Sequence, residues 1–438
     1  MDFDSPPSDT AHRSPVTGHR SRLSDPARIA ITGYGSINAL GTGVEAFAAG
    51  LREGRCAIGE LTVFPSTGFR TTLAAEVREL RDPAGVPRAL TRRASRTGRL
   101  ALIAAAEAWA MAGRGGGDGV GVLIGTTTGG MAIGEEAYRA QFVAAERPAA
   151  LHDWLETPIS ACVDLVARAV DSTGPRLTIS TACSSGANAL GIAADWLRAG
   201  RVDAVLCGGA DSLTRMAYSG FNALQALDRA PCRPFDRTRA GITLGEGSAM
   251  FVLERWDAAR RRGARILGEL VSYGVSADAH HLTQPRPDGA GAVLAMQRAL
   301  DDGGVSPQAI DYVNAHGTGT QQNDVTETRA LKHVLGAHAY RIPVSSTKSQ
   351  VGHCLAAGGA IEALASLLAL RDGFVPPTAT LVEPDPECDL DYVPRTSRRA
   401  ALRTVLSNSY GFGGNNTSLV LRGAEASSRP QMNTDQHR

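Results

Sequence analysis

The sequence lacks any apolar run of 18 or more residues and any strong excess of charge. A helix that crosses a bilayer needs about 20 apolar residues, so no membrane span is predicted. The 45 Lys and Arg residues almost cancel the 44 Asp and Glu residues, which leaves a formal net charge of +1. Such a balance gives no broad positive field for nucleic acid or an anionic membrane surface, and we expect neither as a partner.

Patterns typical of disulfide frameworks and zinc sites are also missing. The seven cysteines are scattered, odd in number and never spaced as C-x-x-C. This favours free thiols in a reducing compartment over disulfides or structural zinc, so we predict a cytoplasmic protein without a bound metal. Lysine is nearly absent, since only Lys332 and Lys348 occur. Their scarcity suggests a purpose that arginine cannot serve.

Nucleotide-binding motifs are not found either. No G-x-G-x-x-G follows the first predicted strand, and "GTTTGG" (Gly125–Gly130) lacks the Gly-Lys-Ser/Thr ending of a phosphate loop. The two ends of the chain, residues 1–26 and 424–438, are rich in small polar residues and proline. Residues 1–26 contain no apolar core of the signal-peptide kind, and both ends are predicted to be disordered extensions.

Between residues 27 and 423, strand-like and helix-like segments alternate. Runs such as "GVGVLIG" predict buried strands, and "GRLALIAAAEAWAMAG" predicts a helix, which together indicate an α/β fold. "TISTACSSGANALGIAADWLRAG" and "PVSSTKSQVGHCLAAGGAIEALASLLALRDG" share one plan: a strand, a small polar corner and an Ala-rich helix. We interpret this as a duplicated domain, 27–265 and 266–423, whose strand-end turns meet at one site.

Cys183 occupies the corner between strand and helix in "LTISTACSSGANAL". The start of a helix favours a thiolate, because its dipole and free backbone N–H groups stabilise negative charge. The small neighbours Ala182, Ser184 and Gly186 leave room for a large acyl group. A buried structural cysteine is the alternative. We interpret Cys183 as a candidate nucleophile.

Two histidines and a lysine lie at comparable turns. His316 in "NAHGTGT" and His353 in "SQVGHCLAAGG" both adjoin glycine, and Lys348 precedes His353 by five residues. A lone histidine is more often structural, but two at equivalent corners suggest a shared site. We expect Lys348 to be buried and paired. "SYGFGGNN" (Ser409–Asn416) can aim backbone N–H groups at an oxyanion, although a plain hairpin is the alternative reading.

Taken together, "TACSSG", "NAHGTGT", "STKSQVGH" and "NSYGFGGNN" resemble motifs of the β-ketoacyl-[acyl-carrier-protein] synthases, elongating condensing enzymes of the thiolase-like superfamily. "RPFDRTRAGITLGEGSA" (Arg233–Ala249) resembles a further block of that family. The similarity extends over roughly residues 27–423. It implies a duplicated α/β fold in five α-β-α-β-α layers, with two mixed five-stranded sheets.

The resemblance also implies a reaction and a set of site residues. The reaction is a decarboxylative Claisen condensation of malonyl-carrier protein with an acyl group held on a cysteine, in fatty acid or type II polyketide or polyene biosynthesis. The implied residues are the nucleophile Cys183; the catalytic His316, His353 and Lys348; the supporting Glu362, Asp324 and Glu327; and the gate residue Phe412, whose backbone N–H shares the oxyanion with that of Cys183. His316 and His353 are expected to stabilise the enolate.

Partners follow from the same resemblance. Acyl carrier protein brings its own phosphopantetheine, so no cofactor is expected in this chain, and it is predicted to dock on a rim with Arg70 and Arg233. A dimer is expected, either with an identical chain or with a non-catalytic chain-length factor. A thiolase would carry a second catalytic cysteine in "SYGFGGNN". A Cys-His-Asn enzyme would carry asparagine in place of His353. Ala240 and Tyr410 depart from the family pattern and are expected to affect substrate choice.

Overall fold

A computed structural model of the protein describes residues 27–144, 148 and 150–424. The extensions predicted to be disordered, residues 1–26 and all but the first residue of 424–438, lie outside the described residues. None of the helices in the described part of the chain is long and apolar enough to cross a membrane.

The elements alternate along the chain as the sequence predicts. The strands are β1 (Ile29–Asn38), β2 (Gly41–Thr42), β3 (Gly59–Glu60), β4 (Leu73–Ala74), β5 (Val120–Gly125), β6 (Arg176–Ile179), β7 (Ala204–Asp211), β8 (Gly247–Arg255), β9 (Gly268–Ala277), β10 (Tyr312–Asn314), β11 (Val344–Ser345), β12 (Phe374–Val375), β13 (Arg398–Arg399), β14 (Thr404–Gly411) and β15 (Asn415–Gly423). The helices are α1 (Val44–Glu53), α2 (Arg88–Thr91), α3 (Arg96–Ala112), α4 (Met131–Tyr138), α5 (Leu151–Leu155), α6 (Ala161–Ala169), α7 (Ser185–Arg198), α8 (Arg215–Ala223), α9 (Trp256–Arg261), α10 (Ala290–Asp302), α11 (Gln321–Leu335), α12 (Lys348–Val351) and α13 (Gly358–Asp372).

The main sheet consists of two five-stranded halves. One half has the order β6-β5-β7-β8-β1 and the other β9-β15-β14-β10-β11. Each is mixed, since β5 runs parallel to β6 and β7 while β7 is antiparallel to β8, and β14 is parallel to β10 but antiparallel to β15. The halves are continuous, because Ile29–Ile31 of β1 pairs with Gly268–Leu270 of β9. The two predicted sheets are therefore joined at one edge.

Helices separate and cover the two halves of the sheet. A central hydrophobic core joins α7 and α13 to strands of both halves. A second core packs α3 and α6 on the outer face of the first half, and a third packs α10 and α11 on the outer face of the second. This arrangement is the predicted stack of five layers. The division of the chain into domains 27–265 and 266–423 stays a prediction.

The two central helices approach each other closely at their first turns. α13 is buried on every side from Gly358 to Ala369, which is typical of a helix in the middle of a core. A Cβ on Gly186 of α7 would lie 2.8 Å from the carbonyl oxygen of Ala356, and a Cβ on Gly359 would lie 2.9 Å from the Cβ of Ala187. Contacts this short require glycine. The corners that precede the two helices are therefore neighbours.

Candidate active site

The corner that carries Cys183 is built from backbone and hydroxyl contacts. Between β6 and α7 the chain turns at Ala182, which has a positive φ of 51°. The Ser185 hydroxyl accepts a hydrogen bond from the Thr181 N–H at 2.8 Å and donates to the Ala182 carbonyl at 2.6 Å. These bonds hold a turn that non-glycine residues rarely adopt. They fix the position of the Cys183 sulfur.

The Cys183 side chain rests as a thiol. Burial raises its pKa to about 11, although the charge of Lys348 and the backbone N–H of Phe412 act in the opposite direction. The thiolate predicted from the helix start is therefore wrong for the resting state. The physical reason is that Cys183 precedes the helix and is buried, with only 7% of its surface exposed, so loss of solvation outweighs the dipole.

His353 contacts the sulfur directly. Its Nε2 lies 3.0 Å from Cys183 Sγ. Burial, helped by the charge of Lys348, holds the pKa of His353 well below its ordinary value, so the imidazole is neutral and can accept the thiol proton. The predicted corner contains the short helix α12, which ends at Val351; Gly352 then adopts a φ of 65°, and the predicted long helix, α13, begins only at Gly358. This break between α12 and α13 turns His353 toward Cys183.

His316 and Lys348 complete the cluster. The rings of His316 and His353 are 5.5 Å apart and nearly perpendicular, at 85°. Lys348 Nζ lies 3.2 Å from His316 Nδ1 and forms a close ion pair with Glu362. An ammonium group can only donate, so Nδ1 of His316 accepts and its proton resides on Nε2. Burial keeps the pKa of His316 well below its ordinary value, and the neutral ring is a hydrogen-bond donor.

The predicted supporting carboxylates hold the loop that carries His316. Glu327 accepts the backbone N–H groups of His316 at 2.9 Å and Gly317 at 2.8 Å. Asp324 accepts the backbone N–H of Phe235 at 2.8 Å and lies 3.7 Å from the guanidinium of Arg239. Neither has a hydrogen bond to Cys183 or to an imidazole nitrogen in the described part of the chain. They position the site rather than face the sulfur.

The turn between β14 and β15 packs against the nucleophile corner. A Cβ on Gly411 would lie 3.1 Å from the Cys183 nitrogen and 3.0 Å from the Thr181 carbonyl oxygen, so glycine is needed for this approach. The next residue is Phe412, whose backbone N–H lowers the pKa of Cys183. The N–H groups of Cys183 and Phe412 are thus both near the sulfur, as an oxyanion hole requires.

These groups open into one pocket of about 400 Å³. Cys183, His316, His353 and Phe412 all contribute to its lining. The pocket is large enough to admit a thioester and its arm. A buried thiol, a neutral base in contact with it, a second neutral imidazole and two backbone donors suit transfer of an acyl group to sulfur.

Comparison with known proteins agrees with this chemistry. The family model "Beta-ketoacyl synthase, N-terminal domain" matches residues 27–259, and "Beta-ketoacyl synthase, C-terminal domain" matches residues 267–382. The chain belongs to the β-ketoacyl synthase family. The predicted family, thiolase-like fold class and acyltransferase class are therefore confirmed.

Individual relatives match nearly the whole chain. The 3-oxoacyl-[acyl-carrier-protein] synthase 2 of Synechocystis sp. is 40% identical over 408 residues, covering 90% of this chain and 98% of the relative. The putative polyketide beta-ketoacyl synthase 1 of Streptomyces virginiae is 40% identical over 415 residues, covering 91% and 99%. The solved ishigamide ketosynthase/chain length factor superposes with a TM-score of 0.86 at 36% identity, covering 91% of this chain and 100% of that one.

The two departures from the β-ketoacyl synthase pattern both line the pocket. Ala240 and Tyr410 are among its lining residues, and the Tyr410 ring lies 5.6 Å from the ring of His316. Neither contacts the Cys183 sulfur through a hydrogen bond. An effect of these residues on substrate choice stays a prediction, and their position is consistent with it.

The two arginines predicted to dock a carrier protein differ in their surroundings. Arg70 is exposed, and its guanidinium donates to the carbonyl oxygen of Gln225, which lines the pocket. Arg233 is only 27% exposed and donates to the buried carboxylate of Asp228 at 3.2 Å. The prediction for Arg233 is less well supported, because much of its charge is already neutralised by Asp228.

One buried carboxylate next to the site, Asp211, is not predicted by the sequence patterns described above. Asp211 ends β7, has no exposed surface and accepts the backbone N–H of Ala356, three residues after His353. The available signal was an acidic residue that closes an otherwise apolar strand, "AVLCGGAD". Such a residue needs several donors to be tolerated in a core.

The Lys348–Glu362 ion pair should be asymmetric in its effect on stability. Glu362→Gln leaves a buried ammonium group without its anion, and we expect the free energy of unfolding at pH 7 to fall by about 3–5 kcal/mol. Lys348→Met should cost less, roughly 1–3 kcal/mol, because burial has already raised the pKa of Glu362 to about 7 and the carboxyl can protonate. Denaturant titration measures both. A larger loss for Lys348→Met than for Glu362→Gln would contradict this reading.

Glu327 should make stability depend on pH. Burial raises its pKa to about 7 from an ordinary value of 4.5, so the folded protein binds this proton more tightly than the unfolded chain. Its contribution is therefore fully present below pH 4.5 and is lost as pH rises through 7, by on the order of 3 kcal/mol in total. Glu327→Gln should flatten the plot of unfolding free energy against pH in this window. The exposed Glu387→Gln is the control, and equal slopes in wild type and Glu327→Gln would rule the effect out.

Proposed function

We propose that the protein is a β-ketoacyl-[acyl-carrier-protein] synthase that joins an acyl group on Cys183 to malonyl-carrier protein. The observation that carries this proposal is the 3.0 Å contact between Cys183 Sγ and His353 Nε2. His316 lies beside that pair and is held by Lys348 in the tautomer that donates from Nε2. A sulfur nucleophile with two neutral imidazoles provides for both acyl transfer and enolate formation.

The first half-reaction loads the acyl group. Neutral His353 takes the thiol proton as Cys183 Sγ attacks the carbonyl carbon of acyl-carrier protein. The negative oxygen of the tetrahedral intermediate accepts the N–H groups of Cys183 and Phe412. When the intermediate collapses, the phosphopantetheine sulfur leaves and takes the proton from His353. The products are acyl-Cys183 and the free thiol of the carrier protein.

The second half-reaction extends the chain. As malonyl-carrier protein loses carbon dioxide, the electrons of the broken carbon–carbon bond form an enolate on the thioester. The Nε2–H groups of His316 and His353 donate to its oxygen. The enolate carbon attacks the acyl-Cys183 carbonyl, the sulfur leaves, and one solvent proton restores the thiol. The product is a 3-oxoacyl-carrier protein that is longer by two carbons.

The surroundings of His353 suit both steps. Loading needs Nε2 as an acceptor, whereas decarboxylation needs Nε2–H as a donor. Within the described residues, His353 Nδ1 is buried and has no hydrogen-bond partner. No neighbour therefore locks one tautomer, and the ring can exchange between the two forms. His316 does not have this freedom, because Lys348 occupies its Nδ1.

We infer that the protein dimerises through the edge of the first half-sheet. β6 is an edge strand, and its Leu177 is 37% exposed. Near it in the chain, large apolar side chains are solvent-accessible in and after α4 and in α5: Tyr138, Phe142, Leu151 and Leu155. An exposed edge strand and exposed apolar side chains are each suited to contact with another chain. A second copy is the simplest partner. A chain-length factor is the alternative, supported by the solved ishigamide ketosynthase/chain length factor.

We also propose that the enzyme works in the cytoplasm, without a cofactor of its own. All seven cysteines are free, as expected for a reducing compartment. Acyl carrier protein is the partner that supplies the phosphopantetheine arm. The pathway is either fatty acid elongation or polyketide or polyene assembly, and the polyketide alternative is supported by the Streptomyces virginiae relative.

Intact-mass spectrometry with carrier proteins of graded acyl chain length tests the proposed function. Incubation with acyl-carrier protein alone should add the acyl mass to Cys183, and addition of malonyl-carrier protein should release a 3-oxoacyl product longer by two carbons. The range of acyl chain lengths that Cys183 accepts distinguishes fatty acid elongation from polyketide or polyene assembly. Acylation from coenzyme A esters but not from carrier protein would refute the proposal and favour a thiolase.

The docking prediction is tested at Arg70. Arg70→Glu should raise KM for acyl-carrier protein by about fivefold to tenfold while kcat is preserved, because the reversed charge repels an acidic partner at the pocket mouth. Arg261→Glu, at an exposed arginine of α9, is the matched control. Equal KM values for Arg70→Glu and the control would exclude Arg70 from the docking face.

A further inference from the structure

Asp211 is a buried carboxylate with five hydrogen-bond donors. Its Oδ1 accepts the hydroxyl groups of Thr126 and Thr128, both at 2.8 Å, and the N–H groups of Thr127 at 2.9 Å and Thr128 at 2.8 Å. Its Oδ2 accepts the N–H of Ala356 at 2.8 Å. No ion pair to Asp211 occurs among the described residues. Burial raises the pKa of Asp211, and its charged form is stabilised by dipoles alone, so the position of the carboxylate is sharply defined.

The two oxygens serve different halves of the protein. Thr126–Thr128 follows β5 in the first half, whereas Ala356 belongs to the short turn after His353 in the second. The backbone at the end of β7 is also tightly packed and cannot shift. A Cβ on Gly209 would lie 2.9 Å from the Cα of Ala357 and 3.2 Å from the Cα of Gly186. Asp211 therefore connects the turn that follows the general base with the segment that follows β5.

We propose that Asp211 is a positioning residue that sets His353 against Cys183 by holding the N–H of Ala356. The proposal rests on the function proposed above, in which His353 takes the Cys183 proton. A carboxylate suits this role because its Oδ1 accepts hydrogen bonds from the first half of the protein and its Oδ2 accepts one from the second half. An amide offers a single acceptor oxygen, and its NH₂ group would face the Ala356 N–H or the threonine donors.

The charge of Asp211 has a second consequence for the sulfur. Burial has the largest effect on the pKa of Cys183. Lys348 and the Phe412 N–H lower this pKa, whereas Glu362 and Asp211 raise it. His353 faces the sulfur directly, and His316 stands behind it. Loss of the Asp211 charge should therefore lower the pKa of the thiol. A neutral residue that bonds the same groups would not have this effect.

Asp211→Asn is the decisive variant, and Glu254→Gln is its control. Glu254 is also a buried, multiply hydrogen-bonded carboxylate at the end of a strand, but it pairs with Arg114 and Arg262 and is not among the groups that influence Cys183. Asp211→Asn should slow acyl loading by about fivefold to tenfold, no more than loss of His353 itself, with KM for acyl-carrier protein unchanged. The midpoint of the pH profile for Cys183 alkylation by iodoacetamide, followed by peptide mass, should move to lower pH. Glu254→Gln should move neither quantity.

A milder variant tests the proposal if the Asp211→Asn protein does not fold. Thr126→Val removes one of the five donors with little change in shape and keeps the charge, so loading should slow by a smaller factor, about twofold to fivefold. Loading rates and alkylation midpoints equal to those of Glu254→Gln in both variants would overturn the proposal. Wild-type protein that takes up no acyl group would instead refute the proposed function. The alkylation midpoint of Asp211→Asn would still show whether the Asp211 charge acts on the Cys183 thiol.

Discussion

A Cys183→Ala variant is expected to take up no acyl group from any acyl-carrier protein. Among the described residues that line the pocket, Cys183 alone carries a sulfur that can form the thioester, so loading and condensation should both fall by at least about 10³-fold. Decarboxylation of malonyl-carrier protein should remain measurable, because the two imidazoles that donate to the enolate are unchanged. Intact mass reports loading, and release of carbon dioxide reports decarboxylation.

Cys354→Ala provides the matched control. Cys354 adjoins His353 in sequence and is as well buried as Cys183, but it packs in the central core and its thiol donates to the Val351 carbonyl. We expect this variant to load acyl groups at nearly the wild-type rate per folded molecule. Acyl mass on the Cys183→Ala protein, or its absence from Cys354→Ala, would show that the wrong cysteine has been assigned.

The local shape of the site could be predicted from short stretches of sequence. β-branched residues followed by small polar ones predicted the turn at Cys183, and the structure has a strand that ends at Ile179 and a helix that begins at Ser185. The glycine-rich hairpin around Phe412 was predicted in the same way. These features depend on backbone preferences of neighbouring residues, which the sequence states directly.

Features that depend on burial or on distant contacts could not be predicted. The raised pKa of Cys183 comes from desolvation by both halves of the fold, which no local pattern reveals. The pairing of Arg233 with Asp228 depends on how a loop folds back. Asp211 is bonded to residues 83–85 and 145 positions away in the chain. The start of α13 at Gly358, five residues after His353, also depends on tertiary packing, since the Ala-rich sequence favours an earlier start.

The two histidines should separate the half-reactions. His316 has no hydrogen bond to the sulfur in the described structure, so His316→Ala should leave acyl loading within about twofold of wild type. It removes one of two donors to the enolate, and malonyl decarboxylation should fall by about 10²–10³-fold. His353→Ala removes the other enolate donor and also the base that accepts the Cys183 proton. Loading should slow by about tenfold, because water in the pocket replaces the imidazole as proton acceptor only in part.

Decarboxylation in His353→Ala should still fall more than loading. Water can accept a proton from many positions, but enolate stabilisation needs a donor fixed at one point, and a mobile water provides that poorly. The measurements are the rate of mass increase at Cys183 with acyl-carrier protein and the rate of carbon dioxide release from malonyl-carrier protein, each per folded molecule. Equal losses in both half-reactions for His316→Ala would show that this ring also serves the sulfur. The distinction between His353 as the base in contact with Cys183 and His316 as a donor held by Lys348 would then be wrong.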